Sequence, residues 1–146
     1  VAPYDAPPER SYPAFVYEVG SEKVREYARA IGEEAPVHHE REAARAAGFR
    51  DLVAPPMFCV VYAIGALAPA VADPELGIDY AHMVHGGQEF DWEEPVCAGD
   101  TVTTTASVVD VYEKGGMGFF VFASVSTNQD GAQTVRGVWT NIVRRH

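Results

Sequence analysis

The chain has 146 residues, 47% hydrophobic and 22% charged, with a formal net charge of −10 and a pI of about 4.8. That length suits one domain with a sizeable core. The acidic balance argues against a nucleic-acid partner, because a phosphate backbone needs a cationic footprint.

Residues 1–13 are rich in proline and polar side chains and read as an extended arm, leaving one domain over 14–146. Phe15 to Val19 has the alternation of a strand. Ser21 is a suitable N-cap, and Val24, Tyr27, Ala28 and Ile31 then fall on one face at helical spacing. Gly32 stops that helix. Pro36 biases the following Gly32–His39 stretch away from helix. A short helix from about Glu40 to Ala47 ends at Gly48.

From Leu52 to Ala72 the sequence LVAPPMFCVVYAIGALAPAVA carries no charge. Its length suggests a membrane span, but the prolines oppose it. Pro55 and Pro56 suit a first helical turn and Pro69 closes the helix, leaving about Pro56 to Ala68, roughly 20 Å at 1.5 Å per residue. A bilayer core is about 30 Å thick. A helix apolar on nearly every side is buried inside protein, so one central helix without membrane insertion is expected. Cys59 within it acts as a small hydrophobe. It and Cys97, without CxxC spacing, offer neither a disulfide framework nor a metal site, and a reduced, cytoplasmic protein is expected.

Pro69 to Asp79 reads as a loop, and a sheet begins near Tyr80. In the run to Trp92, Phe90 and Trp92 share a face and Gly86-Gly87 marks a bulge or a close backbone approach. Gly99-Asp100 makes a turn. Thr101–Glu113, Met117–Thr127 and Gln133–Val143 are long strands joined at Gly115-Gly116 and Asp130-Gly131. A buried helix wrapped by a strand meander is an α+β arrangement.

The segment Tyr27-Ala-Arg-Ala-Ile-Gly-Glu-Glu-Ala-Pro-Val-His38 resembles the hydratase motif Gly-Asp-x-Asn-Pro-x-His of the MaoC-like (R)-specific enoyl-thioester hydratases. Val84-His-Gly-Gly-Gln88 resembles the His-Gly-x-Gln signature of the N-terminal MaoC-like dehydratase domains, a group that includes (3R)-hydroxyacyl-ACP dehydratase subunits. The resemblance covers about Tyr12 to Arg145. It implies a hot-dog fold that pairs into a dimer. It also implies reversible hydration of a trans-2-enoyl thioester, carried by CoA or ACP, to the (R)-3-hydroxyacyl form.

Such a site needs backbone N–H groups to hold the thioester oxygen and an imidazole–carboxyl pair to move protons. Carried over, the motif's acid and imidazole fall on Glu33 and His38, and the motif's Asn becomes Ala35. Ala54-Pro-Pro56 stands where the hydratases have Ala-His-Gly. Proline has no N–H, so the first helix donors would be Met57 and Phe58. Phe58, Tyr62, His85, Gly86 and Gln88 are candidates to line the substrate, His39 is read as surface, and Asn141 has no assignable role.

Three functions follow. The chain is a hydro-lyase acting through Glu33 and His38, or a non-catalytic subunit that holds the acyl chain beside a second MaoC-like chain, or a thioesterase. The last ranks lowest, since Met57–Ala68 has no carboxylate. A homodimer or heterodimer is expected. No cofactor or metal motif is present; the sole cofactor-like group is the pantetheine of the substrate.

Overall fold

Two adjacent glycines set the geometry of the longest hairpin. Strand β4, Thr101–Lys114, turns at Gly115 and Gly116 into β5, Met117–Thr127, and both glycines have positive φ, 60° and 75°. That pair of angles matches the twist of the flanking strands and is accessible to glycine with little strain. The computed structural model describes residues 10–144. β5 pairs in turn with β6, Gln133–Arg144, which pairs with β3, Met83–Trp92. On the opposite side β4 receives two short strands, β1 (Arg10–Ser11) and β2 (Phe15–Glu18). The sheet is antiparallel throughout, in the order β1-β4-β5-β6-β3, with β2 also on β4. Of the expected arm, residues 1–9 lie outside the described residues, and Arg10–Ser11 is strand instead of irregular chain.

The expected bulge is present. The β3–β6 register shifts between His85 and Gly87.

Helix α1, Ser21–Ala30, buries Val24 and Ala28, and α2, Arg41–Ala46, buries Ala44. Gly20, not Ser21, occupies the cap of α1, and no side chain caps it.

The central segment departs from the single uniform helix expected. It runs as a 3-10 turn (Pro56–Phe58), α3 (Cys59–Ala63), a second 3-10 turn (Ile64–Ala66) and α4 (Ala68–Val71). Pro69 does not end it. It sits in the first turn of α4, where its missing N–H has no intrahelical partner to lose. Nor is the segment buried all round. Phe58, Cys59, Tyr62, Ala63, Ala66 and Ala70 pack on Val102, Val108, Phe120, Phe122, Val135 and Trp139 of the sheet, whereas Met57 and Ile64 are exposed. Phe58 is the aromatic centre, with Tyr27 edge-on at 5.4 Å and Tyr17 at 6.3 Å. Among the described residues no helix is long and apolar enough to cross a membrane.

Candidate functional site

The loop after α1 is built by its backbone. Gly32, at φ +72°, lets the Glu33 N–H donate back to Ala28 O at 2.8 Å, which closes the helix. The Glu33 carboxylate then accepts the Ala35 N–H at 3.0 Å. This cap leads into a 3-10 turn, Pro36–His38. His38 is buried, and its Nδ1 donates to Val53 O at 2.6 Å. A carbonyl can only accept, so the neutral ring carries its proton on Nδ1 and keeps the Nε2 lone pair. His39, expected at the surface, is half-buried because its Nε2 meets Glu33 O at 2.6 Å and its own carbonyl accepts Arg25 Nε at 2.9 Å.

Val53 belongs to a short extended stretch held on both sides. Its N–H donates to Val37 O, the Ala54 N–H to Val96 O, and the Ala98 N–H to Leu52 O. This brings the His38 turn to the start of the central helix. Trp92, at the end of β3, completes the corner by donating its Nε1 to Pro56 O at 2.9 Å.

Two cavities flank the central helix. The smaller, about 380 Å³, is lined by His38, Pro56, Cys59, Tyr62, Trp92 and Glu94, among others. Burial pushes the Cys59 thiol up to about 11 and raises the Tyr62 hydroxyl well above its ordinary value. Both are therefore neutral near pH 7, and His38 is the imidazole of this cavity. The larger, about 900 Å³, is walled by Met57, Val60, Ile64 and Leu67 of the helix and by Met83, His85, Gln88, Trp139 and Asn141 of the sheet.

The sequence-derived site residues divide between these places. His38 and Tyr62 line the smaller cavity, and Met57, His85 and Gln88 the larger. Glu33 lines neither. Phe58 is wholly buried in the core, and its N–H donates to Pro55 O at 2.8 Å. Gly86 forms the bulge, with its bare Cα against the Ile142 side chain. Sequence reasoning missed the rest of the larger cavity's helix wall, Val60, Ile64, Leu67 and Val71, although with Met57 these recur at three- and four-residue steps. It also left Asn141 without a role. Among the described residues no group of three His, Cys, Asp or Glu side chains could hold a metal ion.

A curved antiparallel sheet wrapped on a central helix, with a cavity at the helix start, defines a hot-dog fold, the one that solved MaoC-like dehydratases share. The chain belongs to the FAS1-like dehydratase domain region family, whose model matches residues 10–136. A UPF0336 protein of Clavibacter michiganensis subsp. michiganensis is 46% identical over 128 residues, covering 88% of this chain and 86% of its own length. Among solved structures, the truncated HadBC complex, a (3R)-hydroxyacyl-ACP dehydratase of Mycobacterium tuberculosis, matches at 32% identity and TM-score 0.73. That match covers 90% of this chain and 92% of the other. A MaoC-like dehydratase gives TM-score 0.83 at 24% identity, covering 97% of this chain and 43% of that longer one. The last likeness concerns fold alone.

Proposed function

We propose that this chain is one subunit of a two-chain hydro-lyase that adds or removes water across the 2,3 bond of an enoyl thioester. In that enzyme it holds the acyl group, and a second hot-dog chain supplies the complete acid–base pair. The observation that carries this reading is the placement of Glu33. Its carboxylate caps the Ala35 N–H and lies off the cavity that His38 lines. Hydration requires a proton delivered to C2 while hydroxide is delivered to C3, with charge held on the thioester oxygen in between. One imidazole with an unengaged Nε2 supplies one proton-transfer group. Pro55 and Pro56 supply no N–H, and the Phe58 N–H is engaged by Pro55 O. The motif's acid thus lies off the His38 cavity, whose carboxylates are instead Glu93 and Glu94, and of the two expected helix-start donors only Met57 is left. The family membership, and the two-chain composition of the HadBC dehydratase, support the same reading.

A second reading, in which the chain hydrates the thioester alone through His38, is favoured by that ring's geometry, with Nδ1 anchored and Nε2 available. The absorbance of the enoyl-thioester band separates the two. Purified chain mixed with crotonyl-CoA or a medium-chain trans-2-enoyl-CoA is expected to leave the band unchanged. Adding a second MaoC-like chain, one with an intact Gly-Asp-x-Asn-Pro-x-His motif that co-purifies with it, is expected to bleach it. Loss of the band with this chain alone, abolished by His38→Ala, would establish a self-sufficient hydratase instead.

A further inference from the structure

The larger cavity is apolar along the helix, but three polar side chains enter it from the sheet. The bulge puts them there. His85 pairs with Asn141, and after Gly86 the register resumes with Gly87 opposite Thr140 and Gln88 opposite Trp139. In a regular strand, residues three apart point to opposite faces. The extra residue turns His85 and Gln88 to the same face, and both line the cavity with Asn141.

Asn141 is only 8% exposed, yet among the described residues its carboxamide has no hydrogen-bond partner, although buried amides normally have one. Among the described residues no buried side-chain polar atom is left sealed off without a partner, so the exposure its amide retains is toward the cavity it lines. Gln88 Nε2 donates to Val138 O at 3.1 Å, which fixes that carboxamide and leaves its Oε1 as an acceptor. An alkyl chain laid against this cluster would strip water from the amides and return no hydrogen bond, which is unfavourable.

We propose that the larger cavity takes an acyl chain bearing a hydrogen-bonding oxygen, a hydroxyl or keto group remote from the thioester, which Asn141, Gln88 and His85 recognise. The proposal rests on the acyl-holding reading above and names its substrate class. The group is remote because of where the cluster sits. Gln88 is four residues from Trp92 on the same face of β3, about 13 Å along a strand. Trp92 is tied to Pro56, beside the cavity that holds the imidazole. In the two-chain reading the 3-oxygen that the reaction adds or removes belongs at the second chain's acid–base pair, and in the self-sufficient reading at the His38 end. The oxygen recognised here is a second one, farther along the chain.

The test is calorimetric titration of the full chain with dodecanoyl-pantetheine and its 8-, 10- and 12-hydroxy forms, which avoids any dependence on CoA or ACP as carrier. At least one hydroxylated ester should bind on the order of tenfold tighter than the plain one, the worth of one net hydrogen bond. Asn141→Leu and Gln88→Leu should erase that preference and bind the plain ester at least as well as the unmodified chain does. If the plain ester binds as tightly as every hydroxylated one, the inference fails while the acyl-holding reading stands. If no ester binds, the acyl-holding reading fails and takes the inference with it. The preference of the unmodified chain decides the matter even where a variant does not fold.

Discussion

His38 Nδ1 lies 2.6 Å from the carbonyl oxygen of Val53, and that contact couples the loop after α1 to the start of the central helix. It fixes both the tautomer and the ring's orientation, as the second hydrogen bond of a working imidazole does. Glu33, five positions earlier, is turned to another task. Its side chain caps the turn that carries His38.

This division gives the first prediction. Glu33→Ala should cost about 1 kcal/mol of stability, the usual worth of a lost cap, read from the urea midpoint. The assembled two-chain enzyme should lose less than threefold in kcat once folding is complete. A loss of a hundredfold or more in kcat, the scale of a lost proton-transfer group, would make Glu33 catalytic and overturn the subunit reading.

Asp100 supports a second prediction. Its buried carboxylate accepts the Cys97 N–H at 2.8 Å, Arg50 Nη2 at 2.5 Å and Gln129 Nε2 at 3.1 Å. The neighbours of Cys97 are the residues that clamp Leu52 and Ala54 ahead of the helix. Asp100→Ala should therefore destabilise the fold by about 2–4 kcal/mol. Asp130→Ala, which removes an exposed partner 3.7 Å from Arg50, should change it by less than about 1 kcal/mol. Equal effects from both would mean that the Cys97 contact contributes nothing.

Much of the fold was legible because it depends on local chemistry. Gly115-Gly116 dictates a hairpin, Gly32 stops a helix, and Gly86-Gly87 announces a bulge, each through backbone geometry that the residue type fixes. The site was less legible, because it depends on direction in space. Five-residue spacing aligns Glu33 and His38 with a catalytic motif but does not say which way each side chain points, and the Ala35 N–H captured the carboxylate. The central helix was misjudged as buried all round for a related reason. Hydropathy reports what a residue would bury, and it does not reveal that Met57 and Ile64 face a cavity that this chain leaves open. Asn141 reads as an ordinary strand residue until the register places it opposite His85.

The corner where β1 meets the end of α4 gives a pH prediction. Hydrogen bonds from Arg10 Nη1 at 2.5 Å and from Tyr12 Oη at 2.8 Å hold the Asp73 carboxyl below its ordinary 3.8. Burial, together with the bond to Asp73, pushes the Tyr12 hydroxyl up to about 12. A carboxyl depressed in the folded state contributes stability above its unfolded value, and that contribution is lost as pH falls below 3.8. A hydroxyl raised in the folded state contributes stability below 10.0, and that contribution is lost as pH climbs toward 12. The gap in urea midpoint between the unmodified chain and Asp73→Asn should be constant from about pH 5 to 9 and narrow below 3.8. The gap to Tyr12→Phe should narrow above pH 10 and, because that hydroxyl also helps hold Asp73 down, again below 3.8. A gap to Asp73→Asn that stays constant down to pH 2 would show that these bonds do not bias the Asp73 charge.

The outer edge of β3 gives the last prediction. β3 ends the sheet, so one side of it has no strand partner among the described residues. Val84 on that strand is 60% exposed and the adjoining Tyr80 is 73% exposed. Ile64 and Met57 on the central helix are open as well, on the wall of the larger cavity. An edge of ten residues with apolar side chains beside it invites pairing with another chain, since its free N–H and C=O groups form a template. Glu89 and Asp91 are the only acidic residues on the strand, too few to blunt the edge at its Val84 end. Light scattering should therefore give the mass of at least two chains, the protein pairing with itself when no second chain is offered. Val84→Lys places a charge at the open edge and should shift the protein toward monomer without changing its circular dichroism. An unmodified chain that stays monomeric and soluble at high concentration would mean that the β3 edge is not an interface between copies, and that the open wall of the larger cavity is closed by some other surface.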